Sequence, residues 1–464
     1  SDEEARARAL RRVTENGAGL AGVNVALAGA HPALGAVVAS ASTGADGAYS
    51  FEVLAGGDYA VTPSKKNYAF GPPQAAFKAL ASDRAADFSA TPLPTFEFGA
   101  ASYSVPEDGG GVTVTVRRVG DSSREVSVVY QALGETARRG ADFLASIGQL
   151  TFAPGETSKT FSVFITDDAF VEDQESFKLT LEPGEGAAAD ENATARVTIA
   201  DNDAAPAVAN PIDDDAFFVR QHYRDFFSRE PDAEGLAYWT GEIRKCGADA
   251  ACREARRVSV SAAFFLSIEF QETGYLVYRL YKTTYGRAPE RVEEFMLDAR
   301  VMGEGVVVGR PGWEQLLEAN KASSVRAFVG RPEFEAQYPT TLTPAQFVNA
   351  LFVNAGVTPT DAERQAAAGD FGGTADTSDE EARARALRRV TENPALARAE
   401  LNRAFVMMQY FGYLRRNPDE PPNTDLSGYN HWLSKLNEFG GDYERAEMVK
   451  AFLSSTEYRG RFGN

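Results

Sequence analysis

The sequence ITDDAFVEDQESF, residues 165–177, places five carboxylates between two runs of alternating apolar residues. KTFSVF precedes it and SFKLTL closes it, and both runs alternate apolar and polar side chains as a half-buried β-strand does. A third run ends in TIADND, residues 198–203, which adds two aspartates. Because a sandwich brings the loops at one end together, the pattern predicts a β-sandwich with an acidic end.

Residues 93–205 contain the other strands of this sandwich. VTVTVRRVG, REVSVVYQA and QLTFAPG are short runs with strand periodicity, separated by turn residues. The stretch resembles the Calx-beta domain through YSVPEDGG, GADF at 140–143, LTFAPGE, ITDDAFVEDQESF and TIADND. The resemblance implies a β-sandwich that binds calcium.

Carboxylates in these loops are the candidate calcium ligands. The resemblance implies a ligand set matching Glu97, Asp167, Asp168, Glu172, Glu175, Asp201 and Asp203. Carboxylates massed in this way repel one another unless a cation joins them. LGETA departs from the family's acidic turn, with Gly134 followed by Glu135, which implies a missing or displaced ligand. The alternative is that the carboxylates cap turns and face water.

Residues 17–92 predict a smaller sandwich. In TGADGAYSFEVLAGGDYAVTP the pair Asp46-Gly47 supplies a tight turn, and alternate residues lie on one face, namely Tyr49, Phe51, Val53, Tyr59 and Val61. This stretch resembles carboxypeptidase regulatory-like domains, a transthyretin-like β-sandwich family. The resemblance implies a spacer or adhesive module.

After a linker at 206–212 the hydrophobic period changes to about 3.6, which predicts that residues 213–464 are helical. FFSREPDAEGLAYW and a later SIEFQ recur as YLRRNPDEPPNTDLSGYNHW and STEYRGRF. Each unit joins an Arg-x-Pro-Asp turn to a helix and then to Ser-x-Glu-aromatic. The region resembles the domain of unknown function 4214, which is similar to phycobilisome linker domains and occurs in secreted bacterial proteins. The fold class is therefore a multidomain chain of two all-β sandwiches followed by an all-α domain.

The peptide SDEEARARALRRVTEN occurs twice, at residues 1–16 and 378–393. It is too short for a solenoid unit, so it is a recent duplication, an artefact of sequence assembly, or a segment reused in packing. The second copy predicts a helix capped by Ser378 with Glu381 as its reciprocal partner. The resemblance to the transthyretin-like family implies that the sandwich after the first copy begins with an apolar strand, but only RRVTEN stands in that place. An open sheet edge there predicts self-association into a homo-oligomer or fibre.

Composition and motif content disfavour several classes of protein. The formal net charge of −19 disfavours nucleic acid and anionic membranes as partners. Neither a membrane span nor a signal peptide is visible, so an export signal would lie outside this chain. Cys246 and Cys252 form either a disulfide, which implies an oxidising compartment, or two free buried thiols. The histidines lie apart, without HExxH, GxSxG or a phosphate loop, and therefore indicate no catalytic site.

These observations predict an extracellular or cell-surface bacterial protein with a structural or adhesive role. We expect no enzymatic activity and no membrane span, with calcium as the candidate ion. The alternatives are a secreted enzyme, or a calcium-dependent module that binds a protein or a polysaccharide, with its site in the helical domain. A deep pocket with convergent polar groups in that domain would favour the alternatives.

Overall fold

The computed structural model describes residues 6–144, 147–190, 192–203 and 209–463. Within these ranges the chain forms two β-sandwiches followed by a helical region, as the sequence predicts. The first sandwich consists of β1 (Arg6–Glu15), β2 (Ala18–Gly19), β3 (Asn24–His31), β4 (Gly35–Ser42), β5 (Ala48–Leu54), β6 (Asp58–Ser64), β7 (Tyr68–Gly71), β8 (Ala75–Phe77), β9 (Arg84–Ala85) and β10 (Phe88–Pro92).

Strand β1 corrects the prediction that this sandwich begins at residue 17 with a poor first strand. The strand pairs antiparallel with β5 from Arg6↔Leu54 to Arg12↔Ala48. It also pairs parallel with β10 through Val13↔Phe88 and Thr14↔Ser89. The duplicated peptide therefore supplies an internal strand of the sheet, and the open edge predicted at this position does not exist. Residues 1–5 of that peptide lie outside the described residues.

The second sheet of this sandwich has the order β4-β3-β6-β8. Side chains of both sheets form one core, in which Val25, Val61 and Phe88 are almost fully buried. The predicted Asp46-Gly47 turn is present, with Gly47 at a φ of 76°. A left-handed φ of this kind is why glycine suits the position.

The second sandwich consists of β11 (Thr95–Phe98), β12 (Ser102–Pro106), β13 (Gly111–Val119), β14 (Val126–Gly134), β15 (Ile147–Phe152), β16 (Ser158–Phe164), β17 (Glu175–Pro183), β18 (Ala188–Ala189) and β19 (Thr194–Ala200). One sheet has the order β16-β13-β11-β18 and the other the order β12-β19-β17-β14-β15. Their inner faces enclose Phe96, Phe143, Phe152, Phe177 and Val197. The predicted linker at 206–212 lies partly outside the described residues, and its end forms a turn at Pro211–Asp213.

The helical region consists of α1 (Asp215–Phe227), α2 (Ala233–Arg244), α3 (Ala250–Leu266), α4 (Ile268–Glu272), α5 (Gly274–Tyr285), α6 (Val292–Met302), α7 (Trp313–Val329), α8 (Pro332–Gln337), α9 (Pro344–Ala355), α10 (Asp361–Gly369), α11 (Glu380–Thr391), α12 (Pro394–Met408), α13 (Ser427–Glu438), α14 (Met448–Leu453) and α15 (Thr456–Arg459). A π-helical segment at Gln409–Leu414 continues α12. The aromatic side chains of FFLSIEFQ, residues 264–271, lie in the core: Phe264, Phe265 and Phe270 are buried in one hydrophobic cluster.

The two units of the predicted internal repeat contain the same ion pair. Arg229 donates to both carboxylate oxygens of Glu269 at 2.8 and 2.7 Å. In the other unit Arg416 pairs in the same way with Glu457, at 2.5 and 3.0 Å. Each arginine follows a residue with a left-handed backbone, and each lies over a tyrosine ring. In each unit a bidentate ion pair therefore joins the Arg-x-Pro-Asp turn to the glutamate of the Ser-x-Glu-aromatic motif.

The second copy of the duplicated peptide is helical, as predicted, and forms α11. Its cap differs from the prediction. Asp379 caps the helix by accepting a hydrogen bond from the Ala382 N–H at 3.0 Å. Ser378 instead donates from its hydroxyl to Asp376 at 2.8 Å. The aspartate lies one residue closer to the first turn, and its carboxylate also matches the positive end of the helix dipole.

The predicted cysteine pair is bonded. Cys246 and Cys252 form a disulfide with their Cα atoms 5.5 Å apart, across the turn between α2 and α3. None of the helices in the described ranges combines the length and apolar character that crossing a bilayer requires.

Candidate metal centre

Strand topology brings four acidic segments to one end of the second sandwich. Strands β12 and β19 are parallel neighbours, so Glu107, just after β12, lies beside Asp201, just after β19. Strand β17 is antiparallel to β19, with Glu175 opposite Ile199, so the loop before β17 reaches the same end. The loop between β14 and β15, which carries Asp142, is the fourth segment.

These segments form two adjoining groups of carboxylates. In each group, ligand oxygens from three residues lie within 4.8 Å of one another. The first group is Glu107, Asp201 and Asp203, and the second is Asp142, Asp168 and Glu172. The groups are joined because the Asp168 N–H donates to Glu107 Oε1 at 3.2 Å. Hard divalent cations take oxygen ligands of this kind.

Asp142 is a buried carboxylate whose ion pair with the exposed Arg138 is long, at 3.9 Å from Nε to Oδ2. Its side chain is 4% exposed. Its Oδ2 accepts a hydrogen bond from the Arg138 N–H at 2.5 Å, but no donor among the described residues reaches its buried Oδ1. A buried carboxylate oxygen without a donor is costly, and a bound cation would remove that cost. Asp203 Oδ2 is unpartnered in the same way.

Burial and mutual repulsion raise the proton affinity of the cluster. Burial, followed by the charge of Asp168, raises the pKa of Glu107 to about 8. Burial also raises the pKa of Asp168 to about 7, and Glu172 and Asp142 add to the shift. The pKa of Glu175 rises to about 8 through burial and its contact with Asp142. The folded chain thus favours a bound positive charge here, either a proton or a metal ion.

The second sandwich supplies little positive charge of its own to this cluster. Arg138 Nη2 lies 3.5 Å from Glu172 Oε1, but the arginine side chain is 71% exposed. An exposed pair of this kind contributes at most about 1 kcal/mol. Glu135, in the LGETA turn, accepts from Arg196 at 2.9 Å and belongs to neither group.

The structure brings together most of the residues proposed from sequence. Asp168, Glu172, Asp201 and Asp203 belong to the two groups. Asp167 lies beside these groups. Burial, and then the charges of Asp108 and Asp203, raise its pKa. Glu175 contacts Asp142, as described above.

Glu97 is the exception. It lies within β11, opposite Arg117 in the neighbouring strand, and belongs to neither group. Glu107, rather than Glu97, belongs to the first carboxylate group. Sequence reasoning missed Glu107 and Asp142, although both stand in the quoted motifs YSVPEDGG and GADF. Both residues could have been recognised from their positions in the sequence. Glu107 directly follows the end of a strand, as Asp201 does, and Asp142 follows a turn at Gly140.

Two stretches of the chain match known domain families. Residues 91–203 match the Calx-beta domain. The Calx-beta domain is followed, in the predicted order, by a match of residues 395–462 to a domain of unknown function, DUF4214. The identification of residues 17–92 as a carboxypeptidase regulatory-like domain stays a prediction.

Known relatives cover only part of this chain. The sodium/calcium exchanger Calx of Drosophila melanogaster is 33% identical over 150 residues, which are 31% of this chain and 16% of the exchanger. Sodium/calcium exchanger 3 of Homo sapiens is 40% identical over 85 residues, 18% of this chain and 9% of the exchanger. The chain thus spans less than a fifth of the length of these relatives. Among solved structures, the apo-form Calx CBD1 domain is 35% identical and covers 24% of this chain and 99% of its own, with a TM-score of 0.24.

Proposed function

We propose that the Calx-beta domain of this chain binds calcium and that the chain is a non-catalytic structural module of an extracellular or cell-surface bacterial protein. The observation that carries calcium binding is the unpartnered Oδ1 of Asp142, buried among carboxylates. Calcium takes six to eight oxygen ligands, which adjoining carboxylates, backbone carbonyls and water can supply. The names of the matched exchangers, which include calcium, support the choice of ion.

The disulfide supports the extracellular location. A bond between Cys246 and Cys252 persists in oxidising compartments and is rare in a reducing cytosol. The identification of the first sandwich as a transthyretin-like spacer belongs to the same proposal. Its support is the two-sheet architecture with the Asp46-Gly47 turn.

Self-association and adhesion are also part of the proposal, but by a different surface from the one predicted. Strand β1 is paired on both sides, so it cannot template another chain. Strand β4 ends its sheet, and its Val38 is 81% exposed. An exposed edge strand with apolar side chains is a natural surface for pairing with a second copy.

Calcium binding is tested by thermal unfolding of the full chain in calcium and in chelator. We expect calcium at about a hundredfold excess over its Kd to stabilise the Calx-beta transition by about 2.7 kcal/mol. In Asp142→Asn the calcium effect should shrink, while the chelator-treated protein should become more stable because one repulsive charge is gone.

Glu97→Gln is the matched control, since it removes one carboxylate from the same sandwich but from outside both groups. It should keep the full calcium response. Identical melting in calcium and chelator for the unmodified chain would refute calcium binding.

A groove in the helical domain favours a second candidate function, the binding of a polysaccharide. The groove has a volume of about 870 Å³ and is lined by Tyr238, Trp239 and Asp232, among others. Tyr238 is 60% exposed and meets the Trp239 ring edge to face, with centroids 4.9 Å apart. Flat aromatic surfaces beside hydrogen-bonding groups are the ordinary elements of a ligand site.

A further inference from the structure

The helical domain contacts the loop that carries Asp142. Arg461, after α15, donates from Nε to the carbonyl oxygen of Gly140 at 3.0 Å, and this contact is buried. The backbone of the loop also lies against Arg415, because a Cβ on Gly140 would be 3.2 Å from the Arg415 Cβ. The helical domain therefore fixes the loop two residues before the buried carboxylate.

A second arginine holds two other segments of the metal centre. Arg224, on α1, donates from Nη1 to the carbonyl oxygen of Ile165 at 3.1 Å. Its guanidinium lies over the Phe164 ring at 5.3 Å, and its Nη2 would be 3.0 Å from a Cβ on Gly110. Ile165 precedes Asp167 and Asp168, and Gly110 follows Glu107. One side chain thus contacts the backbone beside both carboxylate groups.

Both arginines are fixed from within the helical domain. Arg461 pairs with the two oxygens of Asp225 at 3.1 and 3.2 Å and donates to the Tyr413 carbonyl at 2.7 Å. Arg224 donates from Nε to Glu230 at 2.7 Å. Arg461, Asp225 and Arg224 are all buried. Buried, multiply bonded guanidinium groups hold their partners in one geometry, unlike exposed ion pairs.

We propose that Arg224 and Arg461 are positioning residues of the metal centre, so that cation binding and docking of the helical domain are coupled. This inference rests on the calcium site proposed above. Within the metal centre the two arginines donate to backbone carbonyls rather than to its carboxylates, so their hydrogen bonds fix the geometry of the loops. A cation that binds the same loop arrangement must in return favour the docked helical domain, because coupling between two sites is reciprocal.

The test uses the full chain titrated with calcium by calorimetry. Arg461→Lys keeps a positive charge beside Asp225 but cannot pair with it through two nitrogens while also reaching Gly140. We expect this variant, and Arg224→Lys, to bind calcium at least about fivefold more weakly. Arg416→Lys is the matched control, because its bidentate partner Glu457 and its other hydrogen-bond partners lie within the helical domain. It should bind calcium as tightly as the unmodified chain.

Hydrogen exchange on the unmodified chain gives a readout that needs no arginine variant. Calcium should slow amide exchange in α1 and in residues 456–463, and Asp142→Asn should reduce that slowing. Calcium binding with unchanged affinity in both lysine variants and unchanged exchange in these segments would overturn the coupling while leaving the calcium site intact. No calcium binding by the unmodified chain would overturn the proposed site itself.

Discussion

At the scale of single residues, the buried carboxylates at the acidic end of the second sandwich repel one another, and a bound cation would reduce that repulsion. Glu107, Asp168 and Glu175 all have pKa values raised towards neutrality, with burial as the largest cause. The buried Oδ1 of Asp142 points to the same unmet need. A carboxylate cluster of this kind costs stability that apolar or neutral side chains would not cost, which supports the proposed role of these residues as ligands.

These pKa shifts predict how the Calx-beta domain responds to pH without calcium. Glu107 and Asp168 bind protons more tightly in the folded chain than in the unfolded chain, where their pKa values are 4.5 and 3.8. Their stabilising contribution is therefore complete below about pH 4 and is lost as pH rises to about 8. Calcium should flatten this fall, because it replaces the protons. Calorimetric unfolding between pH 5 and 8, with and without chelator, measures both trends.

The pKa of His222 is shifted in the opposite direction, so this residue predicts the opposite pH dependence for the helical domain and serves as an internal control. It is fully buried between the Phe218 carbonyl and the Ser261 hydroxyl, each 2.7 Å away. Burial lowers its pKa from 6.5 to about 4, so the helical domain should lose stability as pH falls through that range. A calcium-free Calx-beta transition that strengthens between pH 5 and 8 would contradict the account of the acidic cluster.

At the scale of elements, the duplicated peptide shows that neighbours decide between strand and helix. As β1 it leads into a turn at Asn16 and Gly17, both with positive φ, and lies between β5 and β10. In the second copy, helix α11 is followed by Asn393, the last residue of the peptide, which caps the next helix ahead of Pro394. Its Ala382, Ala386, Leu387 and Val390 are then buried among helices. Local propensity is a weak preference that packing overrides.

A matched pair of substitutions tests this reading. Val13 and Val390 occupy the same position in the two copies, and both are fully buried. Val13→Ala should cost about 2 kcal/mol, since lost burial and lower strand propensity add. Val390→Ala should cost about 1 kcal/mol less, because alanine is the better helix former. Differential scanning calorimetry can follow the two domains separately, and equal or reversed costs would contradict the prediction.

At the scale of the whole molecule, the helical domain is both a partner of the metal centre and a candidate binding surface. Arg300 on α6 donates to the Tyr130 hydroxyl at 2.7 Å, which adds a further contact to those of Arg224 and Arg461. The groove at Tyr238 and Trp239 is formed by helices α1 to α4 together with residues 307–311. Within it Arg229 pairs with Glu269 and Arg310 pairs with Asp232, so most of its charged groups already have a partner of opposite charge, which favours an uncharged ligand.

The groove predicts saccharide binding that depends on its exposed ring. Tyr238→Ala should weaken binding of a recognised oligosaccharide at least about tenfold, because stacking on an aromatic face is lost. Val353→Ala, which truncates a 78% exposed apolar residue on α9, is the control and should bind normally. Titration calorimetry against a panel of neutral oligosaccharides measures both. Binding that is unchanged in Tyr238→Ala, or absent for the whole panel, would remove this candidate function.

The sequence by itself determined the order of two sandwiches and a helical domain, because hydrophobic period and turn residues are local signals. It also indicated the acidic loops at 165–177 and 198–203, the disulfide and the paired repeat units. These features depend on residues close together in the chain, or on motifs that repeat within it.

Only the tertiary structure decided which carboxylates meet. The parallel pairing of β12 with β19 brings Glu107 to Asp201 and leaves Glu97 in mid-strand, and strand order is not a local property of the chain. The same limit explains the duplicated peptide, whose identical residues become β1 in one place and α11 in the other. It also explains why the sequence did not predict the contacts of Arg461 with Gly140 and of Arg224 with Ile165, which join residues up to 321 positions apart. Folding free energy comes mainly from such long-range burial, so local sequence cannot specify its outcome alone.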